Sequence, residues 1–173
     1  MRPHIDPEVV GEAALIVRTD YSDDATWQDV IAMLDAEHPL GFRPDNHVVD
    51  DPAWAGATAD EVLATAPAEN GVVFLADAVT MRSPHPLLAV NTVTRDLCED
   101  DYEFDYEMSH GREFRVLPAG VADVAVNLLI ANTDFPDFAA TAAADPDGCY
   151  RGVAAHPKGQ VALAALRDFL RGG

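Results

Sequence analysis

Apolar runs and amphipathic stretches succeed one another along the chain in a strand, helix, strand, helix, strand order. Ala13-Ala14-Leu15-Ile16-Val17 is continuous and apolar and closes at Arg18-Thr19-Asp20, as a strand buried on both faces does. Tyr21-Ser22-Asp23-Asp24 is a turn able to cap a helix, in which Trp27, Val30, Ile31 and Leu34 fall on one face. His38-Pro39-Leu40-Gly41 stops that helix. His47-Val48-Val49 is a short second strand that runs into Asp50-Asp51-Pro52. Thr58 and Glu61 have capping-box spacing, which predicts a helix to about Ala66. After the Asn70-Gly71 turn, Val72 to Ala76 is a third buried strand ending at Asp77, and Leu87-Leu88-Ala89-Val90 begins a fourth. This order predicts an α/β fold with a mixed, mainly parallel sheet flanked by helices.

The period then changes. From Asp101 to Met108 acid and apolar residues alternate. A strand period of two predicts Asp101, Glu103, Asp105 and Glu107 on one face, and Tyr102, Phe104, Tyr106 and Met108 on the other. A turn at Ser109 to Arg112 then returns Phe114-Arg115-Val116-Leu117 as the partner in one antiparallel hairpin, with Arg112 and Arg115 offsetting part of the acid ladder. The last third is helical, with Val121, Val124 and Leu128 on one face and Phe135 and Phe138 in a following helix. Cys149 to Val153 is expected as a short edge strand, and residues 157–171 as a closing amphipathic helix with Leu163, Leu166 and Leu170 aligned. Residues 1–12 are expected as a loose arm. No repeat or linker divides the chain, so 1–173 is expected to form one domain.

Charge alters this picture more than length does. Thirty acids face eleven bases, for a formal net charge of −19, and Lys158 is the lone lysine. Such a field repels nucleic acid and anionic membranes and attracts basic proteins and cations. Two sources account for it: a GC-rich or salt-adapted composition, or selection for a basic partner. The opening Met1 to Pro7 lacks the apolar stretch of a signal peptide, which makes the cytoplasm the expected location. Cys98 and Cys149 are expected as free thiols.

Motifs for catalysis are sparse. None of Ser22, Ser83 and Ser109 lies in G-x-S-x-G, and Cys98 precedes Glu99-Asp100-Asp101, whose charge disfavours a thiolate. The sequence has no H-E-x-x-H, paired C-x-x-C, Walker loop or G-x-G-x-x-G.

Two constellations stand out. The acidic ladder of Asp101, Glu103, Asp105 and Glu107 would dock a basic protein, or would serve as a solvated face protected from edge pairing. The second consists of carboxylates at strand ends: Asp20, Asp23, Asp50 and Asp77 would hold Mg²⁺ or Ca²⁺ if they converge. The spacing departs from a calcium-binding loop, since Ile31 stands where a bidentate Glu belongs. It is similar to the acidic pocket of receiver domains, but the later lysine of that pocket is missing. A plainer role is helix capping by Asp23 and Asp24 and a turn at Asp50.

Ala14 to Asp24 with Trp27, Phe114 to Pro118, and Asn127 to Phe135 are similar to segments of a family of actinobacterial proteins of unknown function. Asp50-Asp51-Pro52, His85-Pro86-Leu87-Leu88 and Tyr150-Arg151-Gly152 also fit. The likeness spans about Ala13 to Val153. The Glu99 to Glu107 segment and the residues after His156 look unlike that family. The resemblance implies a small bacterial protein and carries no activity with it.

The leading expectation is a non-enzymatic, acidic binding protein of inhibitor, immunity or regulatory type. It would hold a basic protein, with no cofactor, no nucleic acid and no membrane. The alternative is an enzyme or switch dependent on Mg²⁺ or Ca²⁺.

Overall fold

Continuous apolar segments form the centre of one six-stranded sheet. The structure, a computed structural model, describes residues 2–66, 71–156, 160–161, 164–165 and 168–169. The strands are β1 (Ala14–Arg18), β2 (Asn46–Val49), β3 (Val72–Ala76), β4 (Leu87–Asn91), β5 (Glu113–Val116) and β6 (Cys149–Tyr150), in the spatial order β2-β1-β3-β4-β5-β6. β1 pairs in parallel with β2 and β3, and β5 with β6. β4 is antiparallel to both β3 and β5. The mixed, mainly parallel sheet is therefore what forms, and β4 supplies its antiparallel component.

The helices are α1 (Pro7–Val10), α2 (Asp24–Leu34), α3 (Ala59–Leu63), α4 (Asp101–Glu107), α5 (Pro118–Leu129) and α6 (Phe135–Ala144). Strand alternation divides the core in two. Ile16, Phe74, Ala89 and Val116 pack under Trp27 and Val30 of α2, Val121 and Val124 of α5, and Phe135 and Phe138 of α6. Leu15, Val17, Val73, Leu75 and Val90 face the other way, against Trp54, Val62 of α3, Ile5 and Val10. Trp27 and Trp54 are both fully buried, one on each side of the sheet. At the edge, β6 lies tight against α5. A Cβ on Gly120 would sit 2.9 Å from the Tyr150 ring and 3.0 Å from the Gly152 nitrogen, a contact that only glycine permits.

The structure corrects two expectations. Residues 101–107 are helix, and the antiparallel partner of β5 is β4. The Asp100 side chain accepts the Glu103 N–H at 2.9 Å, and the Glu103 carboxylate accepts the Glu99 N–H at 2.6 Å. These bonds satisfy orphan donors that a strand would leave to a neighbour. The segment expected as a loose arm is also packed down. Asp6 caps α1 with Pro7 in its first turn, Ile5 and Val10 are buried, and Arg2 donates to the Ala53 carbonyl at 2.6 Å. Leu163, Leu166 and Leu170, on which the closing helix was expected to pack, lie outside the described residues.

Candidate functional site

At the carboxyl ends of β1, β2 and β3 the predicted metal carboxylates are present but divided among arginines. Arg18 is 4% exposed at the end of β1. Its Nε donates to the Asp20 carbonyl at 2.9 Å, and its terminal nitrogens donate to Asp24 at 2.6 Å and Asp50 at 3.3 Å. The guanidinium lies 4.2 Å from the Tyr21 ring centroid and 5.3 Å from that of Trp27. The second Asp50 oxygen accepts Trp27 Nε1–H at 2.8 Å. Burial, reinforced by the charge on Asp50, pushes the Tyr21 hydroxyl up to about 12.

Asp23 caps α2 by accepting from the Thr26 N–H at 2.9 Å, and the Asp20 carboxylate accepts from the Ser22 N–H at 3.0 Å. Asp51, rather than Asp50, makes the turn before Trp54, accepting from the Ala53 N–H at 2.8 Å. Asp77 is gripped from both oxygens by Arg115 of β5, at 2.9 and 2.8 Å. Burial alone would raise the Asp77 carboxyl, but the two bonds and the charge of Arg115 outweigh it and hold it below the usual range. Asp20, Asp23, Asp50 and Asp77 thus do not come together as one ligand set. Among the described residues no three of His, Cys, Asp and Glu are placed to hold a metal ion. Arg18 and Arg115 are the residues that sequence reasoning missed here. Their signal was a lone arginine closing or interrupting an apolar strand, where only a paired charge can sit.

The helical form of 101–107 redistributes the acidic ladder. Successive side chains advance about 100° around a helix, so Asp101 and Asp105 share one flank, Tyr102 and Tyr106 the next, and Glu103 the flank beyond. Phe104 and Met108 turn inward, where they line a groove with Leu63 and Arg112. Glu107 follows them and accepts from Asn91 Nδ2 at 2.9 Å. The four acids therefore do not form one face. The outermost stripe is aromatic, with Tyr102 82% and Tyr106 42% exposed. The Tyr106 hydroxyl donates to Asp134 at 3.3 Å, which brings a further acid to the same surface.

Arg112 and Arg115 do not offset these acids. Arg112 pairs with Asp60 and Glu113, and Arg115 with Asp77. The compensating residue is Arg95, which bonds to Asp101, lies 4.0 Å from Asp105 and stacks 4.4 Å over the Phe104 ring. Cys98 sits beside this helix as a free thiol. Burial, together with the charges of Glu103 and Glu107, pushes that thiol up, away from nucleophilic form.

A third constellation involves α5. Asp123 is 6% and His38 5% exposed. His38 Nε2 lies 2.6 Å from one Asp123 oxygen, and the Val153 N–H donates to the other at 2.6 Å. His38 Nδ1 accepts from the Leu40 N–H at 3.1 Å, so its proton sits on Nε2 and is donated to Asp123. His38 was passed over in the sequence as a residue of a helix-stopping turn.

The chain belongs to the family described as a domain of unknown function (DUF6924), whose model matches residues 13–153. Comparison with curated proteins and with solved structures finds no match. Membership in a family of unknown function is thus shown, over the span expected for it, about Ala13 to Val153. Glu99 to Glu107 lies inside the matched span, and the residues after His156 lie outside it. No helix among the described residues is long and apolar enough to cross a membrane.

Proposed function

We propose that this chain is a non-enzymatic binding module whose α4 surface docks a basic protein. The observation that carries this reading is the outer stripe of α4. Two exposed tyrosines are flanked by Asp101 and Asp105 on one side and Glu103 on the other, on a helix that buries none of its own residues. Tyrosine offers a large, stiff contact area at small entropic cost and is enriched at the centres of interfaces. An arginine or lysine stem packs on such a ring while its charge meets the adjacent carboxylates. Arg95 already does this within the chain, over Phe104 and between Asp101 and Asp105. The net charge of −19 would speed encounter with a basic partner, and the tyrosines would slow its departure.

Octa-arginine is a suitable probe, with octa-lysine as its control. In an amide NMR titration the arginine peptide is expected to shift residues 101–107 and Asp134 first. The double variant Tyr102→Ala/Tyr106→Ala should weaken octa-arginine about tenfold and octa-lysine much less. Asp105→Lys should slow association of both. Shifts spread evenly over the acidic surface, unaltered by the tyrosine double variant, would leave only diffuse charge attraction and would overturn the reading.

A further inference from the structure

Between α5, α6 and the segment after β6 lies a cleft of about 760 Å³, large enough for a small organic ligand. The Phe138 and Tyr150 rings meet edge to face there at 5.1 Å, and His156 stacks on Tyr150 at 5.5 Å. His156 Nε2 is buried and has no hydrogen-bond partner among the described residues. Besides His156, the polar positions are Asp123, Asn127, Thr133, Asp137 and Thr141.

Among the described residues the cleft carries carboxylates and neither lysine nor arginine. Because His38 accepts at Nδ1, it gives Asp123 a hydrogen bond but no counter-charge. Asp123 lies nearly buried at the wall of this cleft, and its carboxylate adds to burial in pushing the Tyr150 hydroxyl up. Asp137 is exposed, sits in the first turn of α6 and makes no ion pair among the described residues. Among the described residues, no lysine or arginine lines the cleft. Arg151, the nearest in sequence, is turned away onto Asp145 and Asp147.

We propose that this cleft is a binding site for a small organic cation, a protonated amine joined to a flat apolar body. The body would lie against Phe138, Tyr150 and His156. The ammonium would meet Asp137 and feel the field of Asp123. An anion would face two carboxylates with no lysine or arginine among the described residues to offset them, and a neutral ligand would leave Asp137 without a counter-charge. The inference rests on the cleft alone and stands or falls separately from docking at α4.

The test uses 2-phenylethylamine as the probe, with 2-phenylethanol and phenylacetate as near-isosteric neutral and anionic controls. Amide NMR should show the amine shifting Thr141, Tyr150 and His156 while Tyr102 stays still. The amine should bind at least tenfold more tightly than either control. Asp137→Asn changes an exposed side chain that makes no ion pair among the described residues, and should weaken the amine about tenfold while leaving the alcohol unchanged. Absence of shifts in the cleft at about 10 mM amine would overturn the proposal. So would equal affinity for all three compounds, tighter binding of phenylacetate, or an amine affinity indifferent to Asp137→Asn.

Discussion

Replacing Asp123 with alanine removes the acceptor for two donors, the buried His38 Nε2–H and the part-buried Val153 N–H, each 2.6 Å away. His38 has no room to turn toward solvent, since it is 5% exposed and stacks at 4.3 Å on Phe42. An orphaned buried donor costs about 1–3 kcal/mol, so the pair amounts to about 4 kcal/mol. For a chain of this size that corresponds to a fall in Tm of roughly 8–16 °C. Asparagine does not rescue the site. If its oxygen accepts from Val153, its amide faces the proton on His38 Nε2. Moving that proton to Nδ1 only relocates the clash to the Leu40 N–H. Asp123→Asn should therefore lose about 1–3 kcal/mol, one unsatisfied donor's worth. Urea melts followed by tryptophan fluorescence are the assay, since Trp27 and Trp54 report from opposite sides of the sheet. A loss below about 1 kcal/mol in Asp123→Ala would mean that water replaces both bonds, and would refute the tautomer and the closed network argued for His38.

Two further predictions follow from packing and charge. Gly120→Ala pushes a methyl group into the Tyr150 ring and the Gly152 backbone, and should cost about 1–3 kcal/mol in the same urea assay. Asp77 and Asp145 have carboxyls depressed in the folded state, by Arg115 acting against burial and by Arg151 to about 2 respectively. Depressed carboxylates stabilise above the unfolded value, so stability should be flat down to about pH 4 and fall between there and about pH 2. Carboxyl ¹³C titration should place Asp77 below the usual range in the native chain and above it in Arg115→Met.

The sheet was legible because its strands are written as uninterrupted apolar runs. Ala14 to Val17 and Val72 to Ala76 admit only a strand buried on both faces, and Thr58 with Glu61 marked α3 by spacing alone. The segment from Asp101 to Met108 was misread because perfect alternation over eight residues also fits two helical turns. In helical form Phe104 and Met108 pack inward and Tyr102 and Tyr106 look out. Asp100 with Glu103 three residues on was the competing signal, a cap-like pair just before the helix. The carboxylates at the strand ends were located correctly as positions in the fold. Their partners were not, because Arg18 and Arg115 reach them through sheet neighbours far apart in sequence. The Asp123 to His38 bond spans 85 residues, a separation over which no local pattern carries information.

The docking proposal is tested most directly by trapping whatever touches Tyr102 in the native cell. Tyr102→p-benzoylphenylalanine places a photoreactive ring at the most exposed point of α4. The same residue at Val9, 64% exposed on α1, serves as the control. Irradiation followed by mass spectrometry should give one discrete adduct at position 102 with a basic protein, reduced by Asp105→Lys and missing at position 9. No adduct at 102, the same products at both positions, or capture of an acidic protein would contradict the account.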